Sequence, residues 1–251
     1  MSVTYRVCRA LRLLSGKFRP RTAAVILAGG SGSRMKSENG LTKQLMLLEG
    51  IPVLIRSAQA FENCEYIDEI VIVARKDEMQ SVALLVKEYG IKKLTRIVSG
   101  GETRRLSALK GVSAISEKTK YVAIHDAARC LITPAMIGDV VSAAYANRAA
   151  TAGCASVDTV KQVDTRGYIT QTLDRSMIYR AQTPQVFECN LYRAAAYSAP
   201  KNAPEATDDN MLVEQIGHAV KMVDVGEENL KITTALDLEF AKIILKRREQ
   251  K

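Results

Sequence analysis

The sequence predicts an α/β fold in which a mostly parallel sheet carries helices on both faces and a β-hairpin protrudes. Three observations carry that expectation. Strand-length apolar runs alternate with amphipathic stretches along nearly the whole chain. The first apolar run, residues 23–27, passes straight into a loop containing Gly29, Gly30 and Gly32. Charged and small residues gather after the strands, the end of a parallel sheet where ligands collect.

After the strand at 23–27, a helix is expected over 53–62, a strand over 69–74, a helix over 77–89, a strand over 95–98 and a helix over 103–115. Next come a strand at 121–124, a helix at 134–147 and a strand at 151–157. Pro134 suits a first helical turn, where its missing N–H would have no partner anyway. The alternation then breaks: 158–163 and 168–173 read as two strands joined by a turn at 164–167. Such a hairpin is unstable alone in water, so it should pack against a further surface such as a second subunit. Helices resume at 188–197 and 208–216, with Thr207 as N-cap and Gly217 as stop. A strand at 219–225 and a helix from Thr234, boxed by Asp237, complete the domain.

Size and composition narrow the function. At 251 residues with 47% hydrophobic content, the chain can build one sizeable domain. No apolar run is long enough for a bilayer span. The net charge of +9 is concentrated: residues 1–21 hold five Arg and one Lys and no acid, leaving 30 basic against 27 acidic residues elsewhere. That tail reads as a dispensable, disordered extension or an organellar transit peptide, ahead of a single domain over 22–251 in a cytoplasmic enzyme. With no Trp and 5% aromatic residues, nucleic acid is not the expected partner. Cysteines 8, 64, 130, 154 and 189 are odd in number and lack metal-ligand spacing, so they read as reduced thiols.

The glycine loop is built for a phosphate chain. Glycines let successive amides approach an anion, and Arg34 and Lys43 can neutralise oxygens the amides do not reach. A Walker A loop would need Lys-Ser or Lys-Thr after its last glycine, and the dinucleotide fingerprint a glycine where Met35 stands. The run Leu27-Ala-Gly-Gly-Ser-Gly-Ser-Arg-Met35, followed by Lys43-Gln44, instead resembles the signature of nucleotidyltransferases that join sugar or polyol phosphates to nucleoside monophosphates.

Later segments sharpen that likeness: Gly100-Gly101-Glu102 with Ser107, Asp126-Ala-Ala-Arg129, Thr159, Asp174-Arg175, Thr183-Pro184-Gln185, Thr207-Asp208 and Lys231-Ile-Thr233. Together, from about 23 to about 247, they resemble the 2-C-methyl-D-erythritol 4-phosphate cytidylyltransferases. The resemblance implies a Rossmann-like sheet of the nucleotide-diphospho-sugar transferase type and transfer of CMP from CTP to a methylerythritol phosphate. It implies that Arg34, Lys43 and Lys231 catalyse, and that Ala28, Gly29, Gly30, Gly32, Gly100, Gly101, Glu102, Ser107 and Asp126 bind the nucleotide. Arg129, Thr159, Arg175, Thr183 and Thr207 would receive the acceptor, and Asp126 would hold one Mg²⁺. The hairpin, about 157–175, resembles an arm that dimerises the family and lends Thr159 and Arg175 to the neighbour's site. Cys130 stands where the family has Pro, and Asp209-Asn210 where it has an acidic pair; neither position carries chemistry in this reading.

A phosphate acceptor is already a nucleophile at neutral pH, so no Ser, Cys or His nucleophile is needed. His125 accordingly reads as structural, His218 as a cap or surface residue, and Arg104 and Arg105 as compatible with a solvated helix face. Arg175 also suits a local ion pair with Asp174, and Lys161 suits a solvent-facing role. Ribitol-5-phosphate cytidylyltransferases share several of these motifs, and a non-catalytic nucleotide-binding regulator on the same fold is a reading of another class.

Overall fold

The computed structural model describes residues 19–30, 42–198 and 206–250. In chain order the elements are β1 (Thr22–Leu27), β2 (Leu47–Leu48), β3 (Ile51–Pro52), α1 (Val53–Glu62), β4 (Glu69–Ala74), α2 (Met79–Glu88), β5 (Leu94–Ser99), α3 (Arg104–Ser113), β6 (Tyr121–Asp126) and α4 (Pro134–Asn147). There follow β7 (Ala149–Ala155), β8 (Lys161–Val163), β9 (Ile169–Thr172), β10 (Tyr179–Glu188), α5 (Cys189–Ser198), α6 (Asp209–Gln215), β11 (Lys221–Asp224) and α7 (Ala235–Glu249). Seven strands form one sheet in the order β11-β7-β10-β6-β1-β4-β5. All neighbours are parallel except β10, which runs antiparallel to both β6 and β7.

Both faces of the sheet are dry, which explains continuous apolar strands in place of alternation. On β1, Ala24 and Ile26 point into a core shared with α1, α2 and α4 through Phe61, Val82 and Val140. Ala23 and Val25 point the other way, into a core shared with α3, α5 and α6 through Val112, Tyr192 and Leu212. Phe61 and Phe187 are fully buried, each contributing roughly 1.5–3 kcal/mol of transfer free energy. A smaller cluster of Leu48, Val53, Cys130, Leu131, Ile232 and Ala241 seats α7 beside the loops that follow β6.

Most expected elements are present. The Thr234–Asp237 capping box forms, and Gly217 takes φ +80 after α6. Five details differ. The run 179–188, expected only to supply site residues, is a ten-residue strand at the heart of the sheet. Its polar stretch fits because the ladder to β7 shifts register between Ala181 and Gln185. Asp208, not Thr207, caps α6, its carboxylate accepting the Met211 N–H at 3.0 Å; both residue types are competent caps, and Asp208 is the one aimed at the helix. Arm strands are shorter than expected, and the short β2–β3 pair was not foreseen. Residues 19–21, expected in the tail, are joined to the domain: Arg19 grips Asp68 with two bonds of 2.8 Å, and the Arg21 carbonyl accepts from Lys120 and Tyr121. Residues 1–18, with Cys8, lie outside the described residues.

Cys64, Cys130, Cys154 and Cys189 are all unpaired and buried. Burial pushes the Cys130 thiol up to about 12 and that of Cys189 to about 11. Both are therefore unreactive fillers at neutral pH.

Candidate active site

The carboxyl ends of four parallel strands are tied together by backbone bonds. Ala28 N–H donates to Val73 O (2.7 Å), Ala127 N–H to Leu27 O (3.0 Å) and Gly100 N–H to Ala74 O (2.9 Å). The start of the glycine loop and the loop after β5 are thereby adjacent; a Cβ on Gly29 would lie 3.9 Å from the Cα of Gly100. Gln44, buried, donates its amide to Gly30 O at 3.3 Å, which fixes the second segment of the loop against the first. Lys43 is half-buried in the turn just before it. Gly32 and Arg34 lie outside the described residues.

The loop at 100–107 explains its own glycines. A Cβ at Gly101 would sit 2.6 Å from the Cβ of Leu106, so only glycine lets the loop fold back on the first turn of α3. Ser107 Oγ accepts from Gly101 N–H (3.0 Å), and Thr103 caps the helix by accepting from Leu106 N–H (3.2 Å). Glu102 is exposed at the tip.

Asp126, the last residue of β6, pairs in register with Leu27 and is the hub of the site. Lys231 Nζ donates to its Oδ2 at 2.6 Å from 105 residues away. Arg104 approaches Oδ1 with Nε and Nη2, each at 3.4 Å. Burial alone would raise this carboxyl; the Arg104 and Lys231 charges outweigh it and hold Asp126 well below the usual carboxylate range. Arg104 also donates through Nη1 to the buried Asp209 (2.5 Å). It is thus no solvated helix residue. Sequence did carry a signal: a cation at the first position of a helix opposes the macrodipole, so Arg104 needs anionic partners. Asp209, set aside as chemically idle, supplies one.

Beside the hub, Thr183 Oγ1 accepts from the Asp126 N–H (3.1 Å) and contacts His125 Nδ1 (3.0 Å). Its hydroxyl proton then goes to Nδ1, leaving His125 Nε2–H to donate to Arg129 O (3.3 Å). Complete burial lowers the imidazole to about 3, so His125 stays neutral and structural, as the sequence suggested. Thr183 is buried in the wall of the cleft, its hydroxyl engaged by Asp126 and His125. Arg129 is held by carbonyls, Nη1 on Asn229 O (2.9 Å) and Nη2 on Ala181 O (3.4 Å), and burial depresses its pKa. A cation oriented by dipoles in a half-buried wall is a ready partner for an anion.

These side chains surround a cleft of about 280 Å³ lined by Arg104, Asp126, Arg129, Thr183, Thr207 and Lys231, together with Gln182, Gln185 and Asp208, which sequence reasoning had not selected individually. Gln185 Nε2 donates to Asp208 Oδ2 (2.8 Å) and so braces the segment bearing Thr207. Thr159 and Arg175 are elsewhere, exposed on the hairpin and not among the cleft-lining residues. Arg175 Nη1 reaches Val157 O (3.4 Å), while Asp174 caps its own turn on Ser176; the local ion pair does not form.

The chain matches the family model of 2-C-methyl-D-erythritol 4-phosphate cytidylyltransferase over residues 22–247. A protein of that name from Syntrophus aciditrophicus is 38% identical over 232 residues, covering 92% of this chain and 98% of that one. Another, from Lachnoclostridium phytofermentans, is 41% identical and covers 90% and 97%. The crystal structure of 4-diphosphocytidyl-2C-methyl-D-erythritol synthase from Anaerococcus prevotii superposes with a TM-score of 0.80 at 30% identity, covering 90% of this chain and 99% of that one.

Proposed function

The chain belongs to the 2-C-methyl-D-erythritol 4-phosphate cytidylyltransferase family, and from that premise we propose how its cleft performs the reaction. It is a nucleotidyltransferase of non-mevalonate isoprenoid biosynthesis that moves CMP from CTP to methylerythritol phosphate and releases pyrophosphate. Neither the ribitol phosphate reading nor the regulator reading is favoured by that match.

In our reading, the triphosphate lies over the glycine loop with Arg34 and Lys43 on its outer oxygens. Cytosine and ribose rest against Gly100, Gly101, Glu102 and Ser107. An oxygen of the acceptor monoester forms the new bond to the α-phosphorus while the bridge to the β-phosphate breaks. Two anions must meet, so catalysis consists of positioning and charge neutralisation in a preorganised site. Lys231, half exposed beside Asp126, is placed to turn its ammonium to the phosphates. Arg129 and Thr207 face the acceptor from the same cleft.

A divalent cation fits this donor set in one way. Among the described residues no three of His, Cys, Asp and Glu gather at one point, so in our reading Asp126 would supply a protein oxygen and phosphates most of the rest. Mg²⁺ accepts that arrangement, since it is commonly held by one or two carboxylates plus phosphate oxygens, and when bound it would neutralise charge on the departing pyrophosphate.

We further propose that the hairpin arm packs on a second copy and lends Thr159 and Arg175 across the interface. Exposed Val163, Tyr168, Ile169 and Met177 support this. Cytoplasmic residence, expected from the sequence, belongs to the same proposal; no helix among the described residues is long and apolar enough to cross a membrane.

The observation that carries the reading is Lys231 meeting Asp126 at the strand end paired with Leu27, where the glycine loop begins. Its test is pyrophosphate release from CTP with each acceptor. Rapid release with methylerythritol phosphate and little with ribitol 5-phosphate is expected; the reverse preference would overturn it.

A further inference from the structure

We propose that Arg104 is a positioning residue of the transfer reaction, held by the buried Asp209 so that it fixes the Asp126 carboxylate against which Lys231 is set. This rests on the reading of the cleft given above and extends it to residues outside the set assigned there.

A continuous chain of contacts runs from the core to the cleft wall. Tyr192, fully buried on the inner face of α5, donates its hydroxyl to Asp209 Oδ1 at 2.8 Å. Asp209 is itself fully buried, and its backbone N–H is bound by Gln185 Oε1 at 2.9 Å. The other carboxylate oxygen holds Arg104 Nη1, and the remaining nitrogens of that guanidinium face Asp126. Lys231 closes the series on the far oxygen of Asp126. Every link but the last is oriented by a buried neighbour.

Stability alone does not require this arrangement. A buried ion pair adds little to folding compared with apolar residues of the same volume, because both charges must be desolvated. Here the pair costs burial of Asp209, whose carboxyl is pushed up by desolvation, and places a helix-start cation against the macrodipole. What the arrangement supplies is geometry. The rigid fork of an arginine can hold two carboxylates at a set angle, which a lysine point charge cannot. Arg104 also ties the start of α3, next to the loop at 100–107, to the segment carrying Thr207 and Asp208. Those are the nucleotide and acceptor sides of the cleft in our reading.

Removing Arg104 alone would strand the buried Asp209, so the test uses the pair Arg104→Gln/Asp209→Asn, which leaves two neutral partners able to hydrogen-bond. Steady-state pyrophosphate release should show a KM for CTP within about threefold of wild type and a kcat lower by at least about tenfold. Adding Lys231→Ala to the pair should lower kcat no more than about threefold below Lys231→Ala alone, because both changes disable one arrangement. Arg104→Lys keeps the charge that Asp209 needs and hence the fold, and should still lose about fivefold or more in kcat because it cannot span both carboxylates. Wild-type kcat in the folded pair variant or in Arg104→Lys would overturn the inference, as would losses that simply multiply with that of Lys231→Ala. Wild-type turnover in Lys231→Ala itself would instead remove the underlying reading of the cleft.

Discussion

The cleft and the hairpin arm are both rich in charged and polar residues, yet they are held in opposite ways. In the cleft, partners come from far along the chain: Lys231 and Asp126 are 105 residues apart, as are Arg104 and Asp209. Bonds within the arm are local, such as Arg166 and Tyr168 on Asp164 or Lys161 on Thr172. Tertiary structure therefore assembles these ion pairs within one chain, whereas the arm makes a hairpin and leaves Tyr168 and Ile169 more than 60% exposed. An isolated hairpin is marginal in water, so the arm's order calls for a surface outside these contacts. The sequence distance that hydrogen bonds span thus separates the cleft from the arm proposed to dock.

The largest effect expected from this contrast is complementation. If Arg175 acts across a dimer while Lys231 acts within its own chain, Arg175→Ala and Lys231→Ala proteins should each be nearly inactive. Co-refolding them in equal amounts should restore about a quarter of wild-type pyrophosphate release, because half the dimers are mixed and each has one intact site. No recovery in a verified mixed dimer would place Arg175 in its own chain's site or outside the reaction.

A smaller effect concerns stability. His125 titrates at about 3 when folded, chiefly because burial disfavours its charge, against 6.5 for the free side chain. The unfolded chain then binds more protons between these values, so stability is fully present above about pH 6.5 and falls as pH drops toward 3. Between pH 7 and 4 the loss should be about 3 kcal/mol, read from urea midpoints. Asp68 and Asp126, both held low, begin to add to the loss only below about pH 5, while Asp209, held high by burial, opposes it. His125→Gln should flatten the slope; an unchanged slope would show that the ring is not the group responsible.

The smallest effect belongs to the arm's surface. Lys161 donates to Thr172 within the exposed hairpin, so Lys161→Ala should change kcat and KM by less than about twofold. A tenfold loss would mean that the residue reaches a reacting group in the assembly.

Much of the fold was legible because its evidence is local. Apolar runs mark β1, β4 and β6, Pro134 and Thr234 mark helix starts, and Gly217 marks an end. β10 was not legible: Gln182-Thr183-Pro184-Gln185 is polar and interrupted by proline, the composition of a loop, and it enters the sheet with Gln185 paired to Ile124 of β6 while the ladder to β7 shifts register between Ala181 and Gln185. Within the site, Asp126, Arg129 and Lys231 were identifiable from their motifs. Arg104 carried a partial signal, since its helix-start position calls for anions without saying which; Asp209 carried none, because helical period gives no information about a partner on a different helix. Thr183, picked out by its motif as a ligand contact, lines the cleft, and what the motif did not show is that its hydroxyl also serves Asp126 and His125.

The account depends on cations from distant segments converging on one triphosphate. The most direct test is turnover of a correctly folded Lys231→Ala protein, with CTP binding measured alongside. A fall in kcat of roughly 10²–10³, with CTP affinity changed far less, is the expected result for a group that stabilises charge in the transition state. Near wild-type turnover would contradict the account, whatever the loop at 28–43 binds.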